Sequence, residues 1–191
     1  MVCLNSALLH PTSLLNYFNR VKGRQFTRKN LLKSPALAKA LGPNPALAIF
    51  RLAPQDYHRF HAPVTGRLES LKHIPGDYYT VNPQAVNERF DVFTANARSV
   101  LALKTDIGER KDLTVAIVAV GALLVGSIGW DKKVEETINK GEGLGYFQYG
   151  GSTIICMFPT GVTWDEDLLK HSSDGIEVLV KAGERIGQFV P

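Results

Sequence analysis

The stretch Gly145-Tyr146-Phe147-Gln148-Tyr149-Gly150-Gly151-Ser152-Thr153-Ile154-Ile155-Cys156-Met157-Phe158 sets two β-forming runs on either side of a Gly-Gly-Ser-Thr junction. Aromatic and β-branched residues favour extended chain, and a Gly-Gly pair between such runs supplies the positive φ angles of a tight turn. Read plainly, this is a hairpin corner in a β-rich protein. A sharper reading concerns Ser152. A serine that follows a glycine can turn its hydroxyl back on the preceding carbonyl, because glycine has no Cβ to prevent close approach. Attack of the Ser152 hydroxyl on the Gly151 carbonyl would convert the amide to an ester, and elimination would leave dehydroalanine, which hydrolyses to a pyruvoyl group. A planar, resonance-stabilised amide resists such attack. The step therefore requires a strained turn, donors for the oxyanion and a base for the hydroxyl proton.

Outward from this junction the pattern stays β-rich. Strand-like runs occur at Leu47 to Leu52, Val64 to Leu71, Tyr78 to Val81, Ser99 to Leu103, Leu113 to Val120, and Val178 to Val180. Helices are short: Ser34 to Leu41, with Ser34 as N-cap, Pro35 at the first helical position and Gly42 after the end, and a second from Thr163 or Asp165 to about His171. The acidic run Asp165-Glu166-Asp167 suits a first helical turn better than a metal site. Lys140 to Phe147 and Ala182 to Phe189 share the pattern Gly-Glu-x-(Leu/Ile)-Gly-x-Phe. These features predict a mainly β fold with a few short helices, of α+β class, arranged as a barrel-like sandwich with pseudo-repeated halves.

Composition narrows the field. The chain has 191 residues, 45% hydrophobic and 21% charged, which suits one domain with a real core. Two cysteines, Cys3 and Cys156, cannot build a disulfide scaffold or a zinc module, and Cys156 reads as a core residue. Met1 to Leu15 has no basic n-region and is broken by His10 and Pro11, so it does not read as a secretory signal. Leu113 to Trp130 is apolar, but its interior glycines favour a buried strand pair over a membrane span. The net charge is +4, unevenly spread. Arg20, Lys22, Arg24, Arg28, Lys29, Lys33, Lys39 and Arg51 all precede the first carboxylate, Asp56. An arm of that kind is either a solvated basic face or a segment drawn to an anionic membrane surface. Nucleic acid is not expected as a partner, since no aromatic interleaving or reading motif accompanies the charge.

Two of the five histidines, His58 and His61, stand three apart between a strand and a Pro-bounded turn. Their chemistry suits proton transfer near neutral pH. The alternatives are a pair of ordinary loop histidines or half of a metal site without its other ligands, and no metal is expected. His10, His73 and His171 are isolated and read as surface or loop residues.

Two motifs in this order, His58-Arg59-Phe60-His61-Ala62-Pro63-Val64-x-Gly66 and Gly145-Tyr146-Phe147-x-x-Gly150-Gly151-Ser152-Thr153, resemble the phosphatidylserine decarboxylase family. Lys22 to Thr27, Pro75 to Pro83, Asn96 to Val100, Val125 to Ile128 and Trp164 to Leu169 fit the same family, so the resemblance runs from about Lys22 to Gln188. It divides the chain into a short N-terminal remnant, 1–21, and a catalytic domain, 22–191. The Gly-Gly-Ser-Thr form is most similar to the branch holding Golgi and endosomal eukaryotic enzymes and some bacterial ones. The resemblance implies a proenzyme that cuts itself between Gly151 and Ser152. It would give a β chain, 1–151, and an α chain, 152–191, that stay together. The covalent pyruvoyl cofactor made from Ser152 would accept the serine amine of phosphatidylserine and the electrons released as carbon dioxide leaves. The product is phosphatidylethanolamine. His61 would be the base toward Ser152, His58 would act in the decarboxylation cycle, and Thr153 would supply a backbone donor. Peripheral attachment to an anionic membrane is implied, Golgi or endosomal in a eukaryote and otherwise cytoplasmic, and a homodimer is compatible.

One part of the family pattern is missing. The family places an aspartate upstream, in an Ala-Asp-(Ser/Cys)-Arg-like motif, to orient the histidine. Here Val2-Cys3-Leu4-Asn5-Ser6-Ala7 stands in its place, with Asn5 or Leu4 at the aspartate position, as in an N-terminally truncated form. Two further functions stay open, the first because of this missing aspartate and the second because the same electron sink serves any α-amino acid. One is a relative that never matures and only binds lipid or a partner. The other is a pyruvoyl-dependent decarboxylase of a free amino acid.

Overall fold

The computed structural model describes residues 4–10, 17–21, 24–81, 91–122, 127–148 and 152–190, those before Thr27 at the level of the backbone. The frame is an eight-stranded antiparallel sheet. Its strands are β1 (Leu4–His10), β4 (Ala46–Leu52), β6 (Gly66–Ile74), β7 (Arg98–Ile107), β8 (Arg110–Val120), β10 (Thr137–Ile138), β12 (Ser152–Phe158) and β14 (Val178–Lys181). They lie in the order β10-β6-β7-β8-β12-β4-β1-β14. A three-stranded sheet, β5-β11-β9, combines β5 (Arg59–His61), β9 (Ser127–Trp130) and β11 (Gly143–Gln148). Two ribbons complete the β structure: β13 (Val162–Trp164) with β15 (Gly187–Phe189), and β2 (Tyr17–Val21) with β3 (Arg24–Thr27). The described helices are α1 (Arg28–Leu32), α2 (Pro35–Ala40), α3 (Val92–Ala95) and α4 (Glu166–Ser173).

The sheet is covered on both faces. On one, Leu31 and Leu32 of α1, Leu37 of α2 and Phe93 of α3 pack on Leu47, Ile49, Val118 and Met157. On the other, Phe60, Leu144, Phe147 and Trp164 pack on Ala48, Leu52, Ile117 and Cys156. Double coverage explains why β12 and the second half of β8 read as continuous apolar runs, since every residue there is buried. The mainly β, sandwich-like class is as expected. The barrel is not: the main sheet is open, ending on β10 and β14.

The repeat is real in three dimensions. Gly141 and Gly183 both take positive φ, +83° and +87°. Glu142 and Glu184 each turn a carboxylate oxygen back to the backbone N–H three residues earlier, at 2.9 and 2.7 Å. Gly145 then pairs with Trp130, and Gly187 with Trp164. Asp131 and Asp165 follow those tryptophans, and their N–H groups donate to Leu144 and Ile186, each at 3.0 Å. A Cβ on either pairing glycine would strike a facing carbonyl, that of Gly129 or of Thr163.

Other expectations need correction. The basic first third is no arm. β1 is an interior strand between β4 and β14, and Arg28 donates to the carbonyls of Gly42 and Pro43. Tyr78 to Val81 is not a strand. Asn96 accepts from the Tyr79 N–H and donates to the carbonyls of Tyr79 and Gly121, satisfying backbone groups that a strand would otherwise pair. The two halves of 113–130 do not pair: β8 belongs to the main sheet and β9 to the small one. No described helix is long and apolar enough to cross a membrane. The first short helix is capped as expected, with Ser34 Oγ accepting from Leu37 N–H at 3.2 Å. The last starts at Glu166, not Thr163, because Thr163 is held in β13 opposite Gln188.

Candidate functional site

Ser152 opens β12, directly opposite Leu52, the last residue of β4. It is fully buried, and its Oγ has no hydrogen-bond partner among the described residues. An unpaired buried hydroxyl carries a desolvation cost of about 1–3 kcal/mol, so its placement calls for a reason. Gly151 lies outside the described residues. Thr153, next in line, stands in the ladder between Arg51 and Val120.

The histidine loop and Ser152 are joined to paired strands. β4 leads through residues 53–58 into β5, and β11 leads through 149–151 into β12. Since β4 pairs with β12 and β5 with β11, the two connections leave the same pairs of strands. The histidine loop is tied to β11, where the carbonyl of His58 accepts from Phe147 N–H at 2.9 Å. His58 Nδ1 lies 2.6 Å from the backbone carbonyl of Asp56, so that nitrogen carries the proton. The Asp56 carboxylate caps the turn instead, accepting from Ala53 N–H at 2.7 Å.

His61 lies farther along β5, opposite Gly143. Its Nδ1 donates to the Gly141 carbonyl at 2.9 Å, which leaves Nε2 as the basic nitrogen of the neutral ring. Nε2 accepts from the Tyr57 hydroxyl at 2.9 Å, and the two rings stack. This tyrosine was not singled out in the sequence. Its i,i+4 spacing to His61 carries no signal in a loop.

His61 borders a cavity of about 750 Å³ between the main sheet and the smaller β units. Leu52, Ile154, Cys156 and Phe158 form its floor, and Trp164 and Phe189 are among the residues that enclose it. Alternation along a strand puts Ser152 on the same face of β12 as Ile154 and Cys156. Ser152 heads that row without itself lining the cavity, and among the described residues it makes no hydrogen bond to His61 or His58. Cys156 is a wall residue: burial pushes its thiol up to about 12. Register also bears on the missing aspartate. Asn5 pairs with Val180, and Ser6 with Arg51. Asn5, rather than Leu4, therefore stands in the transverse row of Leu52 and Ser152. Asn96 and Arg98 of the third motif belong to the scaffold. The buried Arg98 guanidinium donates to the carbonyls of Asn30, Leu31, Thr94 and Asn96 at 2.8–2.9 Å, tying α1 to α3.

Ser152 is thus a buried, unpartnered hydroxyl at the head of a strand, and His61 borders an apolar cavity over the same sheet. The phosphatidylserine decarboxylase family model matches residues 8–188, and the chain belongs to that family. It is 48% identical over 170 residues to phosphatidylserine decarboxylase proenzyme 2 of Oryza sativa, covering 87% of this chain and 26% of that protein. Identity to the proenzyme 2 of Komagataella phaffii is 45% over 170 residues, covering 87% and 16%. To the phosphatidylserine decarboxylase proenzyme of Fusobacterium nucleatum it is 38% over 168 residues, covering 87% and 54%. The chain thus spans about half of the bacterial relative and about a quarter or less of the eukaryotic ones.

Proposed function

We propose that this chain is the catalytic part of a proenzyme that cuts itself at Gly151–Ser152 and then decarboxylates phosphatidylserine to phosphatidylethanolamine at a membrane surface. The observation that carries the reading is the buried Ser152 hydroxyl with no partner among the described residues. A group left unpaired in the uncut chain is free to attack the carbonyl of the preceding residue, Gly151, and the attack removes it from that costly state. The residues fit a pyruvoyl group, since its precursor hydroxyl heads the row of side chains lining an apolar cavity. When formed, that group supplies a carbonyl that withdraws electrons from the bond to carbon dioxide.

In maturation the Ser152 Oγ–C bond to Gly151 forms as the Gly151–Ser152 C–N bond breaks. Elimination releases the Gly151 carboxylate, and water then replaces the nitrogen at residue 152, releasing ammonia. His61 accepts the hydroxyl proton through Nε2, while the Gly141 carbonyl holds the other nitrogen protonated and fixes the tautomer. Tyr57 must yield Nε2, or pass the proton to it. His58 positions the headgroup or donates a proton during decarboxylation. The apolar cavity excludes water and favours a lipid over a free amino acid.

Intact mass under denaturing conditions tests the reading. The purified chain is expected as two pieces divided after Gly151, the second lighter by one ammonia than a serine-started chain. Ser152→Ala is expected to give one uncut chain. A wild-type chain of full mass with an ordinary serine would reject self-maturation.

A further inference from the structure

The two repeated turns at the cavity are both built to face solvent with a lysine. Lys140 precedes Gly141 in the first, and Lys181 precedes Ala182 and Gly183 in the second. Both lysines and both glycines border the cavity of about 750 Å³. A Cβ on Gly141 or Gly183 would meet nothing within 4 Å, so the turns open outward.

The charges at this rim are sorted. Glu184 spends its carboxylate on the Lys181 N–H within its own turn, and Glu142 spends its own on Asn139 N–H and the Lys132 ammonium. Arg59 is paired with Asp131, and Arg185 with Asp165. Lys140 and Lys181 are exposed, and among the described residues neither ammonium has a carboxylate partner. The rim therefore offers two cations without a carboxylate partner among the described residues, with the charged Glu184, held by a backbone N–H, beside them, above a floor of Leu52, Ile154 and Phe158. Hydrophobic floor and cationic lip together match one kind of molecule, an amphiphile whose anion sits beside its apolar body.

We infer that Lys140 and Lys181 bracket the phosphodiester of a single phospholipid whose acyl portion enters this cavity. The pseudo-symmetric turns act as two jaws, and the phosphate is the shared contact that sets how deep the headgroup hangs. This rests on the reading of Ser152 only for what happens next, since the binding itself needs no cut chain. Lys140 and Lys181 are positioning residues, and they touch no reacting atom.

The test measures binding to the uncut Ser152→Ala chain. The probes are monomeric dihexanoyl phosphatidylserine, glycerophosphoserine with the same headgroup and no acyl chains, and inorganic phosphate. Binding of the short-chain lipid is expected to weaken about tenfold in the double variant K140Q/K181Q, two exposed charges being lost. It should recover in K140R/K181R and stay unchanged in K33Q/K39Q, which alters the basic first third instead. Glycerophosphoserine and phosphate should bind far more weakly, and added salt should weaken lipid binding to the parent. Lipid binding that ignores the K140Q/K181Q change in a chain of unaltered thermal melt would overturn the inference. So would glycerophosphoserine binding as tightly as the lipid, or salt-independent lipid binding. In the wild type, a chain that stays uncut yet binds lipid through these lysines removes the decarboxylase reading and leaves this one. A cut chain indifferent to both lysines does the reverse.

Discussion

Ser152 and Cys156 share one strand face and opposite fates. Both are buried, but the serine hydroxyl lacks a partner while the thiol behaves as a small hydrophobe. Burial raises the Cys156 thiol from 9.0 to about 12 because the apolar wall disfavours a thiolate. The folded chain therefore keeps that proton to higher pH than the unfolded chain does. The resulting stability is whole below pH 9 and is lost as the pH climbs towards 12. Iodoacetamide at pH 8 is expected to leave Cys156 unlabelled in the folded protein and to label it after urea unfolding, as read by peptide mapping. Rapid labelling without unfolding would mean that the cavity wall admits reagent and ionises. The sequence reads Cys156 as a core residue, and its burial in the strand agrees.

The repeated element explains why a seven-residue pattern carries structural information. Each glycine in Gly-Glu-x-(Leu/Ile)-Gly-x-Phe has its own constraint. The first needs positive φ in open space, and the second needs a missing Cβ against the facing carbonyl. Gly145→Ala and Gly187→Ala are each expected to cost about 1–3 kcal/mol, because backbone must move to make room. Gly141→Ala and Gly183→Ala are expected to cost about 1–2 kcal/mol from left-handed strain alone. Urea unfolding of the four variants tests the equivalence, and a harmless Gly187→Ala beside a damaging Gly145→Ala would break it. The run Tyr78 to Val81 teaches the opposite lesson. Its β propensity is genuine, yet the side chain of Asn96 took the backbone groups that a neighbouring strand would have used.

For the whole molecule, the position of the proposed cut decides whether the two pieces stay together. The segment after Ser152 begins with the strand that joins the two halves of the main sheet, paired to β8 on one side and β4 on the other. It also supplies β14, paired to β1, and Trp164 and Leu168 of the shared core. Breaking one peptide link at the head of β12 removes none of these contacts. After maturation the pieces are expected to co-elute in native size-exclusion chromatography and to separate only in denaturant. Release of 152–191 as a free species under native conditions would contradict this topology.

The sequence alone determined the β-rich class, the Ser34-capped helix, the turn pattern and the identity of the two motifs, because turn chemistry, caps and strand propensity act over a few residues. It could not show that the basic first third is woven into the sheet, since strand order is settled by contacts between residues far apart in the chain. Nor could it show that Tyr57 holds His61 or that Lys140 and Lys181 stand at one rim without a carboxylate partner among the described residues. The pairing of β4 with β12 and β5 with β11 brings together strands that lie nearly a hundred residues apart in the chain, the first of each pair flanking the histidine loop and the second flanking Ser152. Only packing decides which polar atoms are left without partners once water is excluded, and the Ser152 hydroxyl is one of three such side-chain atoms among the described residues, with Thr114 Oγ1 and Trp130 Nε1.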